Sequence, residues 1–172
     1  MKPEDVPHRW LPAAEGGRYF ADFTGYERLS ATQQLFLDEL AAELEEVNLQ
    51  GVDPASTIAE LEDEAEEGGP LLTVTIPHRT ETGFALWVQV GAGGLTVGHH
   101  IGESDLAHHH LYDFDFPDSE PWTSGAVEHV VLQLTTPYVV RSRAKERSGL
   151  LRRGRRILRT YPSFDESNES SS

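Results

Sequence analysis

A chain of 172 residues, 38% hydrophobic and with seven Phe, five Tyr and three Trp, has the makings of one ordinary domain; at this size roughly 70% of the unfolded surface is buried without any staple. It has no Cys, which excludes disulfide scaffolds, thiolate zinc sites and cysteine nucleophiles. The formal charge is −15, the apolar runs are far below a membrane span, and the polar start Met1-Lys2-Pro3-Glu4-Asp5 does not read as a signal peptide, so a cytoplasmic protein with no membrane role is expected.

Residues 1–29 are rich in Pro, Gly and aromatics (Trp10, Tyr19, Phe20, Phe23, Tyr26) and predict an irregular arm packed onto the domain. Ser30 and Gln33 form a capping-box signature. Phe36, Leu40, Leu44 and Val47 then recur at helical spacing, with Asp38, Glu39, Glu43, Glu45 and Glu46 on the other side. Gln50-Gly51 should end this helix. Asp53-Pro54 should start a second, carrying Ile58, Leu61 and Ala65, since Pro suits a first helical position.

After Gly68-Gly69-Pro70, Leu72, Val74 and Ile76 alternate with Thr73 and Thr75, and Phe84, Leu86, Val88 and Val90 alternate with Ala85, Trp87 and Gln89. Residues 78–83 read as a polar turn. Gly91-Ala92-Gly93-Gly94 turns the chain into a third strand over residues 95–99; it has no Lys-Ser/Thr and is no phosphate loop. Residues 111–116 read as a short strand or ordered loop. Thr123 or Ser124 opens a helix with Val127, Val130, Val131 and Leu134 inward, and Pro137 stops it. Residues 138–143 and 150–160 read as a final hairpin, and residues 162–172 as a disordered acidic, Ser-rich tail. The expected fold is α+β, a mostly antiparallel sheet of about five strands with helices on one face, over residues 30–161.

Charge is segregated. Residues 34–67 hold 12 acids and no base, whereas residues 141–160 hold nine bases and one acid, Glu146. The ribbon Arg141, Arg143, Lys145, Arg147, Arg152, Arg153, Arg155, Arg156 and Arg159 has the forked donors that suit phosphate, but the acidic body around it argues against nucleic acid. Pairing of the ribbon with the protein's own acidic helices is the more economical expectation.

His99, His100, His108, His109 and His110, followed by Asp113, Asp115 and Asp118, form the densest group of titratable side chains. Imidazole and carboxylate would take Zn or another divalent metal where thiolate is lacking. A site of His99, His108, His110 and Asp113 is one reading, and a metal-dependent hydrolase built on residues 99–118 is the enzymatic alternative. No His-Glu-x-x-His or nucleophile-elbow motif supports it. The other readings are a structural or pH-sensing cluster, with Asp113 and Asp115 as the polar side of a half-buried strand.

The order of an acidic helix, a three-stranded meander over residues 72–99, His109-His110-Leu111-Tyr112-Asp113-Phe114-Asp115, a helix over residues 128–134 and Tyr138-Val139-Val140-Arg141-Ser142-Arg143 resembles small immunity-type proteins that accompany bacterial polymorphic toxins. That resemblance implies a non-catalytic inhibitor of a toxin domain. Together with the charge it predicts an acidic protein that binds a basic protein partner through Glu43, Glu46, Glu60, Glu64, Asp113 and Asp115, without a cofactor. A regulatory module for an unidentified ligand is the third reading; oligomeric state is not encoded in any motif.

Overall fold

The computed structural model describes residues 19–62, 69–91, 94–102, 108–115, 123–144 and 155–165, with residues 108–115, 141–144 and 155–157 given by their backbone. The first helix, α1 (Ala31–Val47), opens on the anticipated capping box: Ser30 Oγ accepts from the Gln33 N–H at 3.2 Å, and Gln33 Oε1 accepts from the Ser30 N–H at 3.0 Å. The other end of the Gln33 amide donates to the carbonyls of Pro70 and Val90, each at 2.8 Å. One buried side chain thus seals the helix start and pins it to the sheet. Phe36, Leu37, Leu40 and Leu44 are buried, whereas Val47 is exposed. The helix ends earlier than Gln50-Gly51, because Asn48 takes the left-handed conformation (φ 50°) and its N–H closes onto Leu44 O.

The expected second helix is absent. Asp53 and Pro54 cap only a 3-10 turn, Pro54–Ser56, and the chain then enters β1 (Ile58–Glu62). Ala59 and Leu61 alternate with Ile58, Glu60 and Glu62, a period of two that pairs with β2 (Leu71–Pro77) and buries Ala59. Pairing along a sheet edge outweighed the helical spacing of Ile58 and Leu61; Ala65 lies outside the described residues.

Five antiparallel strands follow in sequence order, β1 to β5, with β3 (Phe84–Val90), β4 (Gly94–Ile101) and β5 (His108–Asp115) completing the sheet. The three-stranded meander is therefore the centre of a five-stranded one. Its inner face carries Leu72, Val74, Ile76, Phe84, Leu86, Val88, Val90, Leu95 and Val97, which share one core with α1 and with α2 (Thr123–Thr135). Each such aliphatic side chain stabilises by about 1.5–3 kcal/mol when fully buried. In α2, Ala126, Val127, Val130 and Leu134 are buried and Val131 only half so. The helices thus cover one face, as the composition of an α+β domain requires.

The final hairpin, β6 (Tyr138–Ala144) and β7 (Arg155–Tyr161), forms its own two-stranded sheet and does not extend the first. Two strands alone are marginal in water, so the hairpin depends on packing. Tyr138 and Tyr161 supply it by stacking near Phe84, Tyr161 at 4.7 Å between ring centroids.

The packed core runs past the boundary expected at residue 161. Ser163 and Phe164 are 2% and 1% exposed, and Phe164 belongs to the core. Its N–H donates to Leu134 O at 2.7 Å, and its carbonyl accepts from the Gly51 N–H at 2.6 Å. One aromatic side chain, with two backbone hydrogen bonds, outweighs the polar composition around it. Residues 166–172 of the anticipated tail lie outside the described residues. In the N-terminal arm, Tyr19 and Phe20 are buried, while Phe23 and Tyr26 pack against the core edge.

Candidate functional site

Residues His78 to Gly83 were expected to form a polar turn, yet His78 is buried. Its Nδ1 accepts from the backbone N–H groups of Thr80 (3.3 Å) and Glu81 (3.0 Å), so Nε2 carries the proton toward Ser163 O at 3.3 Å. The ring meets Phe164 edge-on at 4.9 Å. His78 therefore fastens the last described segment to the start of the β2–β3 turn, a structural use of histidine.

His99 has a similar fate. It is 1% exposed on the inner face, stacked between Tyr138 (4.0 Å, 18° between planes) and Phe84 (5.3 Å, 8°). The ladder sets it opposite His109. It is thus not brought to the positions of His108 and His110, with which it was grouped.

Among the described residues neither α1 nor α2 packs on the outer face, and the register arranges that face in rows. One row runs Pro77, Ala85, His100 to the position of His108. The next runs Ile58, Thr75, Trp87, Gly98 to that of His110, and a third runs Glu60, Thr73, Gln89, Thr96 to that of Asp113. At the far end Glu62 pairs with Leu71, and Asp115 with Gly94. The β4–β5 ladder slips between Val97 and Gly98: Val97 faces Tyr112 and Gly98 faces His110, passing over Leu111. This bulge reverses the alternation, so His108, His110, Asp113 and Asp115 all occupy outer-face positions. A regular strand would have put the two Asp positions on the opposite face from the two His positions.

Of the six anticipated partner-binding residues, the sheet brings Glu60, Asp113 and Asp115 to one face. Glu43 and Glu46 lie on α1, half-buried and exposed respectively, on the other side of the sheet. Glu64, like Asp118, lies outside the described residues. The described acids of the run over residues 38–67 are therefore divided between α1, Asp53 and β1. The middle of the outer face is polar: Thr73, Gln89 and Thr96 are half-buried, and Gln89 Nε2 reaches Thr73 Oγ1 at 3.5 Å. Its Trp87 end is more enclosed, with Trp87 8% and Ala85 7% exposed.

In the basic ribbon, Arg159 pairs with Glu81 at 3.5 Å and lies 4.8 Å over the Tyr161 ring. That carboxylate belongs to the β2–β3 turn and not to the acidic segment over residues 34–67, the expected partner. The side chains of Arg141, Arg143, Arg155 and Arg156, and residues 145–153, are outside the described set.

Among the described residues no helix is long and apolar enough to cross a membrane. The arrangement is that of an α+β protein with a helix-covered inner face and an acid-edged polar outer face. No family model, curated protein or solved structure matches the chain.

Proposed function

We propose that the chain is a non-catalytic, acidic binding protein, of the immunity or inhibitor kind, whose outer sheet face engages a basic protein partner such as a toxin domain. The observation that supports this reading is the row register: Glu60 and Glu62 on β1 and Asp113 and Asp115 on β5 flank a floor of Thr73, Gln89 and Thr96. Four strand spacings separate the two acidic edges by about 19 Å. A basic helix, about 10–12 Å across with its side chains, fits between them. Acidic edges of this kind act chiefly on encounter rate and register, since exposed charge pairs add little net affinity.

The test is to express the proteins encoded by genes neighbouring this chain's own and to titrate any basic toxin domain among them, purified, against it. The charge reversals Glu60→Lys and Glu62→Lys should slow association and flatten its salt dependence, while Glu46→Lys on α1 should do much less. Association that ignores both salt and the β1 reversals would refute the outer-face reading, and stronger dependence on Glu46 would move the interface to α1.

A further inference from the structure

We infer that the free edge of β1 is an acceptor for an extended, basic segment of a partner protein, which adds to the sheet as a sixth strand. This goes beyond the outer-face reading and does not depend on it: the partner is held by main-chain bonds at an edge instead of lying across a face. β1 is the first strand of the sheet and pairs on one side only, with β2. Among the described residues no backbone group outside β2 bonds to Ile58–Glu62. Such a row of N–H and C=O groups is a template for another strand.

The edge is held ready by its surroundings. Just before it, buried Thr57 accepts from the Phe20 N–H at 2.9 Å and donates to Pro54 O at 2.7 Å. Ala59 is buried and Leu61 packs against the core from the inner face. The strand is thus fixed from the inner side while Ile58, 47% exposed, and Glu60 and Glu62 face out. Its register with β2 runs without a bulge, and it contains neither Pro nor Lys, the other usual guards of an edge.

The two glutamates decide which strand is admitted. A second copy is turned away: antiparallel self-pairing centred on Glu60 sets Glu60 against Glu60, and centring on Leu61 sets Glu60 against Glu62. Like charges directly opposite one another are destabilising, whereas opposite charges stabilise. Among the described residues neither glutamate has a basic partner of its own. The complement is therefore a strand with Lys or Arg at two alternate positions and a β-branched or aromatic residue facing Ile58. Main-chain bonds supply affinity in this mode, and alternate side chains supply specificity.

The experiment titrates the full chain with a synthetic peptide of about ten residues, an ordinary strand length, alternating Lys with Val. Backbone amide shifts and slowed hydrogen exchange should centre on Ile58–Glu62. A version with Glu in place of Lys should bind at least about ten-fold more weakly. Glu60→Gln combined with Glu62→Gln should weaken the Lys peptide to a similar degree, with the loss largest at low salt. Alternate residues of a strand point their N–H groups to opposite edges, so N-methylation of one alternate set should abolish binding and of the other should spare it. Equal binding by both N-methylated versions, or by the Glu version, overturns the inference, as does no binding at all. Shifts centred on Gln89 and Thr96 also overturn it, while favouring the outer-face reading. Dimerisation of the chain alone, reversed by the peptide, would give the edge to a second copy and overturn the choice of partner.

Discussion

His99 and His100 are neighbours in the chain and opposites in the fold. His99, 1% exposed, is stacked into a group of rings that includes Phe84, Tyr138, Tyr161, Phe164 and His78. His100, half-buried, sits on the face opposite α1 and α2. The same contrast holds for the two faces of the sheet as wholes. The inner face is aliphatic and aromatic, close-packed against α1, α2 and the β6–β7 hairpin, so it carries the stability. The outer face carries half-buried Thr73, Gln89 and Thr96 and exposed Glu60 and Glu62, with Trp87 and Ala85 enclosed towards one end. Closely packed surfaces tolerate little change in volume, whereas polar faces tolerate much. Function assigned to the outer face therefore need not compete with folding.

The strongest challenge to this division is at Phe164. Phe164→Ala should cost about 3–5 kcal/mol, the range for a large aromatic in a core. Urea unfolding monitored by circular dichroism measures it. A loss under 1 kcal/mol would mean that the last described segment is not part of the packed body. Truncation after Pro162 should be at least as damaging, because it also removes the Gly51 and Leu134 backbone bonds.

Gly51→Ala probes the same segment from the opposite side. A Cβ there would lie 2.7 Å from the Phe164 carbonyl oxygen and 2.8 Å from its Cα, both backbone atoms. The loop must shift, at a cost of about 1–3 kcal/mol by analogy with overpacked cores. Combining it with Phe164→Ala should give less than the sum, since both act on one contact. Full additivity would place Gly51 outside the clasp.

The pH dependence arises on the helix-covered side of the sheet. Burial raises the Tyr138 phenol above its ordinary 10.0, with the neighbouring Tyr161 adding to it, and burial raises Tyr19, helped by Glu45 and opposed by Arg79. The folded chain keeps these protons where the unfolded chain loses them, so stability should be full below pH 10 and fall as pH rises past it. At the acid end, burial lowers His129 below 6.5, and its Nε2 accepts from the Gln133 amide at 3.2 Å. Its contribution is present above pH 6.5 and is lost as pH falls through the depressed value, to a smaller extent because the ring is partly exposed. Denaturation midpoints in Y138F and H129Q, which remove one titration each, check both signs. A midpoint of Y138F that fell just as steeply above pH 10 would exclude Tyr138 as the cause.

The smallest effects should come from the outer face. Thr73→Ala and Thr96→Ala should change stability by no more than about 0.5 kcal/mol, the usual range for half-exposed polar positions. A cost above 1 kcal/mol would show that this face is structural too, and the contrast between faces would fail.

Much of the fold could be read from residue order. The Ser30/Gln33 capping box, the alternation in residues 72–76 and 84–90, and the glycine turn at 91–94 are local signals, and local signals decide local structure. They located α1, β2, β3, β4, α2 and the closing hairpin. Three things escaped for physical reasons. Residues 58–62 have spacing that fits helix or strand, and a neighbouring strand edge chose. Phe164 sits in a polar stretch, and only tertiary contact shows that one ring can hold it. The acidic run over residues 38–67 is continuous in sequence, but its described acids on α1 and on β1 fall on two sides of the sheet. The histidine group shows the limit most plainly: composition marks residues 99–115 as unusual, yet alternation alone assigns Asp113 to the wrong side of His108 and His110. One unmatched residue in the β4–β5 ladder, Leu111, reverses that parity. A side-chain period of two makes face assignment depend on every residue between, so the sharing of a face was decided by strand pairing and by nothing local to the histidines.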